Sequence, residues 1–152
     1  MNLKKAKVMT SPDVAAIATY LTAPPYHAEV TEALSALFFF APPDARQPAD
    51  HRRPFATLVI SDDHDAASDL NRPGVFRLNI GVGRSTFQQL FAGEQPQAFT
   101  ALDTLMPHPV YAGAYWVCVL NPSTATFDRL GPLLDEAYQM AKARLARKQT
   151  LG

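Results

Sequence analysis

The sequence predicts an α+β domain: a mostly antiparallel sheet of about five strands, with an N-terminal helix, a short middle helix and a long C-terminal helix. Three observations predict it. Aromatic and β-branched runs follow one another with few helical crossovers, which favours antiparallel pairing. Amphipathic helical patterns stand at both ends of the chain. The 152 residues, 47% of them hydrophobic, suit one domain with one substantial core and need neither metal nor disulfide to hold it.

Residues 1–10 carry Lys4, Lys5 and Lys7 with no apolar run behind them, so they read as a disordered basic extension rather than an export signal. The domain proper spans 11–148. Ser11-Pro12-Asp13 is a helix opening, with Ser11 as the cap, and the Ala-rich stretch to Thr22 stops before Pro24-Pro25. His27–Thr31 and Leu37–Phe40 read as a hairpin. The span 42–54 is polar and proline-rich, an exposed loop. Phe55–Ser61 is a buried strand, followed by an acidic loop that runs from Asp62 to Pro73.

Gly74–Val82 is the best strand in the chain. A short helix follows, with Ser85 as cap, Gly93 as stop and Phe87, Leu90 and Phe91 on one face. The span 94–111 has no clear pattern. Ala114–Leu120 is the last strand. A long helix begins near Ser123 or Thr124, with Leu130, Leu133, Leu134, Ala137, Tyr138 and Ala141 on its apolar face. Asp135 and Glu136 early, and Lys142 and Arg144 late, complement its dipole. Pro132 marks a kink or the start of the main helix.

Composition narrows the function classes. The net charge is zero, from 14 basic and 14 acidic side chains, which argues against duplex DNA as partner. A local basic patch of Arg46, Arg52, Arg53, Arg144, Arg147 and Lys148 is the feature that would support nucleic-acid binding. No stretch reaches the ~20 apolar residues of a membrane span. Cys118 is the single cysteine, so no internal disulfide forms, and a cytoplasmic setting is expected. No cofactor is expected, since Gly81-Val82-Gly83 lacks the third glycine and the lysine of a nucleotide-binding loop, and serine-hydrolase chemistry finds no support, since no Gly-x-Ser-x-Gly elbow is present. A homodimer is compatible with the sequence.

Alternation along Val75–Val82 locates the candidate site. Phe76, Leu78, Ile80 and Val82 share one face, the core face. Val75, Arg77, Asn79 and Gly81 share the other. A cation and an amide about 7 Å apart could hold a carboxylate or phosphate, although a solvated sheet face explains them more simply. His108 stands between Pro107 and Pro109, which fix its backbone. Asp69 and Trp116 complete the candidate ligand-binding set, although core packing is the simpler reading of the Trp116 ring. Asp62, Asp63 and Asp69 with His108 form a candidate metal set, with carboxylates for a hard ion and an imidazole that widens the choice. Against it, aspartates in turns usually serve nearby backbone amides. Cys118, inside an apolar strand, is expected to be inert.

Several runs together carry a family resemblance: Ser68-Asp69-Leu70-Asn71-Arg72-Pro73-Gly74-Val75-Phe76-Arg77-Leu78-Asn79-Ile80-Gly81-Val82, then Met106-Pro107-His108-Pro109-Val110-Tyr111, and Trp116–Pro122. The chain resembles a bacterial family of small uncharacterised proteins known as a domain of unknown function, over about Ala33 to Ala141. That resemblance implies a one-domain protein and carries no activity, cofactor or catalytic residue. The Trp-bearing strand followed by a long helix is more distantly similar to YjbR-like domains, for which a DNA-binding role has been suggested; the analogy is one of fold. The expectation is a non-enzymatic binding module for a small anionic ligand or a protein partner. The alternative is a metal-assisted hydrolase built on the Asp62–Asp69 loop and His108.

Overall fold

Asp13 opens the first helix. Its carboxylate accepts from the Ala16 amide at 2.9 Å, so the cap falls two residues after Ser11, and α1 runs Val14–Thr22. The computed structural model describes residues 11–43, 52–93 and 98–151, with side chains up to 146. The basic extension, most of the proline-rich loop and part of the unpatterned span lie outside the described residues.

A hairpin follows α1, with β1 at Glu29–Ala33 and β2 at Ala36–Phe40, turned by Leu34 and Ser35 at positive φ. Then come β3 (Ala56–Val59), β4 (Arg77–Gly81), α2 (Arg84–Leu90), β5 (Met106–Pro107), β6 (Trp116–Leu120) and α3 (Thr124–Leu151). The strands form one sheet in the order β1-β2-β3-β4-β6-β5, and every ladder is antiparallel. The fold is α+β as the pattern predicts, with six strands instead of about five. The extra strand, β5, has two residues, too short to leave an alternation in the sequence.

The sheet is covered on one face by helices. Phe39, Leu58, Leu78, Ile80, Val117 and Val119 point to that face and pack with Ile17 and Leu21 of α1 and Leu130, Leu134, Ala137 and Tyr138 of α3. A fully buried leucine contributes roughly 1.5–3 kcal/mol there. The helix α3 continues through Pro132 as one element, and Ser123 Oγ caps it by accepting from the Thr126 amide at 3.2 Å. Ser85 does not cap α2. Gly83 takes that place, and Glu136 reaches from α3 to accept from the Gly83 amide and the Thr86 hydroxyl, both at 2.6 Å.

The opposite face has its own smaller apolar cluster of Ala36, Val59, Leu70, Met106, Cys118 and Leu120. Loops rather than helices cover it. One side chain fixes where β4 begins: Asn121 accepts from the Phe76 amide through Oδ1 and donates from Nδ2 to the Gly74 carbonyl, each at 2.9 Å. The Asn121 amide thus stands in for a peptide group of a neighbouring strand.

Candidate functional site

The antiparallel register lays out the site row by row on the loop-covered face. Phe38 of β2 faces Thr57 of β3, Thr57 faces Asn79 of β4, and Asn79 faces Cys118 of β6. In the next row Val59, Arg77 and Leu120 are neighbours. One row the other way, Gly81 faces Trp116, and the His108 amide donates to the Trp116 carbonyl at 2.9 Å. Two-residue periodicity therefore puts Thr57, Arg77, Asn79 and Trp116 on one side of the sheet.

These residues are not a solvated polar face. Arg77 is 1% exposed, Asn79 2% and His108 3%. A buried guanidinium must be matched, and here it is. Arg77 Nη1 donates to Asp65 Oδ1 at 3.0 Å, Nη2 to Asp65 Oδ2 at 2.8 Å, Nη1 also to Ser68 Oγ at 2.8 Å, and Nε to Asn79 Oδ1 at 3.0 Å. Asn79 Nδ2 passes the chain on to Thr57 Oγ1 at 2.8 Å. Beside Arg77 the Asp65 carboxyl is held below the usual carboxylate range, first by the hydrogen bonds from the guanidinium.

His108 is fixed differently. Its Nδ1 accepts from the backbone amides of Val110 and Tyr111, both at 3.0 Å. With Nδ1 occupied as an acceptor, the neutral ring carries its proton on Nε2. Burial lowers its pKa to about 4, with the Arg77 charge adding to the effect, so the ring is neutral at pH 7. Every buried side-chain nitrogen and oxygen among the described residues has a partner. Nε2 has none among the described residues, so it is not a buried atom and meets open space.

That space is a cavity of about 300 Å³ lined by Thr57, Arg77, Asn79, Asp65, His108 and Trp116, with Phe38, Pro54, Val59, His64, Val110 and Tyr111 completing its walls. The structure thus brings Arg77, Asn79, His108 and Trp116 together. It does not bring Asp69 to them. Asp69, at φ 53°, lies against Arg72 in its own loop at 3.6 Å. The candidate metal set is not assembled either: Asp62 Oδ1 accepts from the Leu70 amide at 2.8 Å, Asp63 sits in a turn with Ser61, and among the described residues no group of three or more His, Cys, Asp or Glu could hold a metal ion. Asp65 entered the sequence reading only as a member of the acidic loop from Asp62 to Pro73, and Thr57, Ser68 and Phe38 were missed as site residues. The signal for Asp65 was the buried strand cation itself, which requires an anion from an adjacent loop.

Cys118 lies beneath the site, donates weakly to the Pro107 carbonyl at 3.8 Å, and has its thiol pushed up to about 12 by burial. Arg52, a member of the candidate basic patch, instead pairs with Glu29 at 2.7 Å and lies over the Phe40 ring. The side chains of Arg147 and Lys148, and all of Arg46, lie outside the described residues. No helix among the described residues is long and apolar enough to cross a membrane.

The model of a family of unknown function, DUF6194, matches residues 9–150, nearly the whole chain. The chain belongs to the DUF6194 family. No curated protein and no solved structure matches it. The DUF6194 match extends past both ends of the Ala33–Ala141 likeness and takes in α1 and nearly all of α3, so the site and the helices that back it fall within one family unit.

Proposed function

We propose that this DUF6194 chain is a non-enzymatic binding module that takes a small anionic molecule in the cavity over β3, β4 and β6. The observation that carries the reading is the convergence of donors on one concavity: His108 Nε2, the remaining N–H of Arg77 Nη2 and the second N–H of Asn79 Nδ2 have no acceptor in the described protein. A site built this way favours a ligand end that only accepts, such as a carboxylate or a phosphate. Asp65 opposes the charge of Arg77 without cancelling it. At both His108 and Cys118 the influence of Arg77 is the larger of the two. About 300 Å³ is at the lower end of the range for small-molecule pockets.

The absence of an activated nucleophile among the described residues of the cavity supports binding over catalysis. Cys118 holds its proton firmly, and His108 has its Nδ1 lone pair tied to two amides, which leaves a donor and no base at neutral pH. The metal-assisted hydrolase finds no comparable support, since the Asp62 and Asp69 carboxylates serve their own loop. Val110 and Tyr111, 53% and 59% exposed beside the cavity, favour as the second reading a carboxylate presented by a protein partner or a second copy. A single buried cysteine supports a reducing, cytoplasmic setting.

Trp116 is the only tryptophan, so its fluorescence reports the site directly. Titration with acetate, benzoate and inorganic phosphate, followed by this signal and by amide NMR shifts, is expected to give saturable binding to at least one of them. His108→Asn is expected to weaken that binding at least tenfold. If none of the three anions perturbs Trp116 or the amides of Asn79 and His108, the reading is overturned.

A further inference from the structure

We infer that the body of the ligand is a flat aromatic ring, so that the class of molecule this cavity takes is an aromatic monocarboxylate about the size of benzoate. This rests on the anion-binding reading and adds the part of the ligand that the donors do not touch. The donors gather at Asn79 and Arg77 on β4 and at His108 beside β5, and Asp65 is engaged by Arg77, whereas Phe38, Val59, Val110, Tyr111 and Trp116 give the rest of the lining a carbon-rich surface. Only one end of a ligand can be polar in such a site, and the rest must replace water against apolar surface.

The wall is aromatic on two sides. Phe38 stands on β2 and Trp116 on β6, separated by β3 and β4, which puts their backbones roughly 14 Å apart at the usual strand spacing. That gap is narrowed by a specific device. A methyl group at Gly81 would lie 2.9 Å from Trp116 Cε2 and 3.0 Å from Cζ2, so the missing side chain at Gly81 is what lets the indole lean across β4 toward the centre of the sheet. On the other side Phe38 is braced by His64, edge to face at 5.9 Å between ring centres. Tyr111 closes in from the loop that His108 holds, its ring 5.1 Å from the imidazole. Phe38, His64, His108, Tyr111 and Trp116 thus put five rings around one space, and such a lining favours another ring within it, through offset and edge-to-face contacts that a saturated ring does not make. A carboxylate attached directly to that ring lies in its plane and reaches the donors at the floor.

The test compares benzoate, cyclohexanecarboxylate and acetate by amide NMR on the full chain. Benzoate is expected to bind at least fivefold more tightly than cyclohexanecarboxylate. Gly81→Ala, which displaces the indole, and Trp116→Leu, which removes it, are each expected to weaken benzoate at least fivefold more than they weaken acetate. Using both variants guards against misfolding of one, and far-UV circular dichroism identifies the folded proteins. Equal affinity for the two cyclic acids, or benzoate binding unaltered in a folded variant, overturns the aromatic class and leaves the anion site standing. Failure of all three acids removes the aromatic class, and failure of inorganic phosphate as well removes the anion site.

Discussion

Both terminal nitrogens of Arg77 meet both carboxylate oxygens of Asp65, at 3.0 Å and 2.8 Å, and this fork joins the central strand to the acidic loop. The two partners are not equivalent. Asp65 sits on a loop with its side chain 18% exposed, whereas the Arg77 side chain is 2% exposed. Asp65→Asn therefore removes the carboxylate that matches a nearly buried cation and is expected to cost about 3 kcal/mol. Arg77→Met leaves a carboxylate that can turn outward, so its cost is expected to be smaller. Urea denaturation of the two variants checks the order, and a double variant less destabilised than Asp65→Asn alone confirms the coupling.

His108 performs two tasks with its two ring nitrogens, and substitution can separate them. Asparagine places an acceptor near the position of Nδ1 and offers nothing at Nε2. His108→Asn is expected to keep the Val110 and Tyr111 amides protected from hydrogen exchange while ligand binding falls. Glutamine does the reverse, with a donor near Nε2 and no acceptor for the two amides. His108→Gln is expected to speed exchange at Val110 and Tyr111 at least tenfold.

The depressed pKa of His108 makes stability depend on pH. Its ordinary value is 6.5 and its folded value about 4. The unfolded chain binds the proton first, so this contribution is whole above 6.5 and declines as pH falls toward 4. The loss is about 3 kcal/mol at the lower end. Asp65, whose folded pKa is lowered, holds its contribution above the ordinary carboxylate value and loses it only in more acid solution. Urea midpoints measured from pH 7.5 to pH 4 are expected to fall most across the histidine window, and His108→Asn is expected to flatten that fall.

Glu136 ties α2 to α3 through the Gly83 amide and the Thr86 hydroxyl. Glu136→Ala is expected to cost about 1–2 kcal/mol, since it orphans the amide of Gly83, the N-cap of a seven-residue helix with no side-chain cap bond of its own. The Gly83 amide is expected to exchange faster, with Asn79 in β4 unaffected.

Periodicity made the main elements legible. The apolar face of α3, from Leu130 to Ala141, is buried as its spacing requires, and the alternation in Val75–Val82 assigns every side chain to its observed face. What alternation could not tell was whether the Arg77 side faced water. That depends on loop packing, which leaves no period in a sequence. For the same reason Ser68 and Thr57, small hydroxyl residues at ordinary positions, gave no sign of being the hydrogen-bond partners of Arg77 and Asn79. The strand β5 escaped because two residues carry no pattern. Asp69 was the reverse case: an acidic residue next to the best strand, whose positive φ turns it toward Arg72 instead.

The amide of Asn121 decides more than the end of a strand. Its backbone takes φ 44°, which asparagine adopts more readily than most residues, and its side chain must both donate and accept. Aspartate could not donate to Gly74, and glycine would offer neither group. Because a strand that slips by one residue exchanges its two faces, this single clasp keeps the guanidinium from being turned under the helices and the leucines out among the loops. Whatever the protein recognises, its ability to do so depends on a carboxamide that never touches the guest.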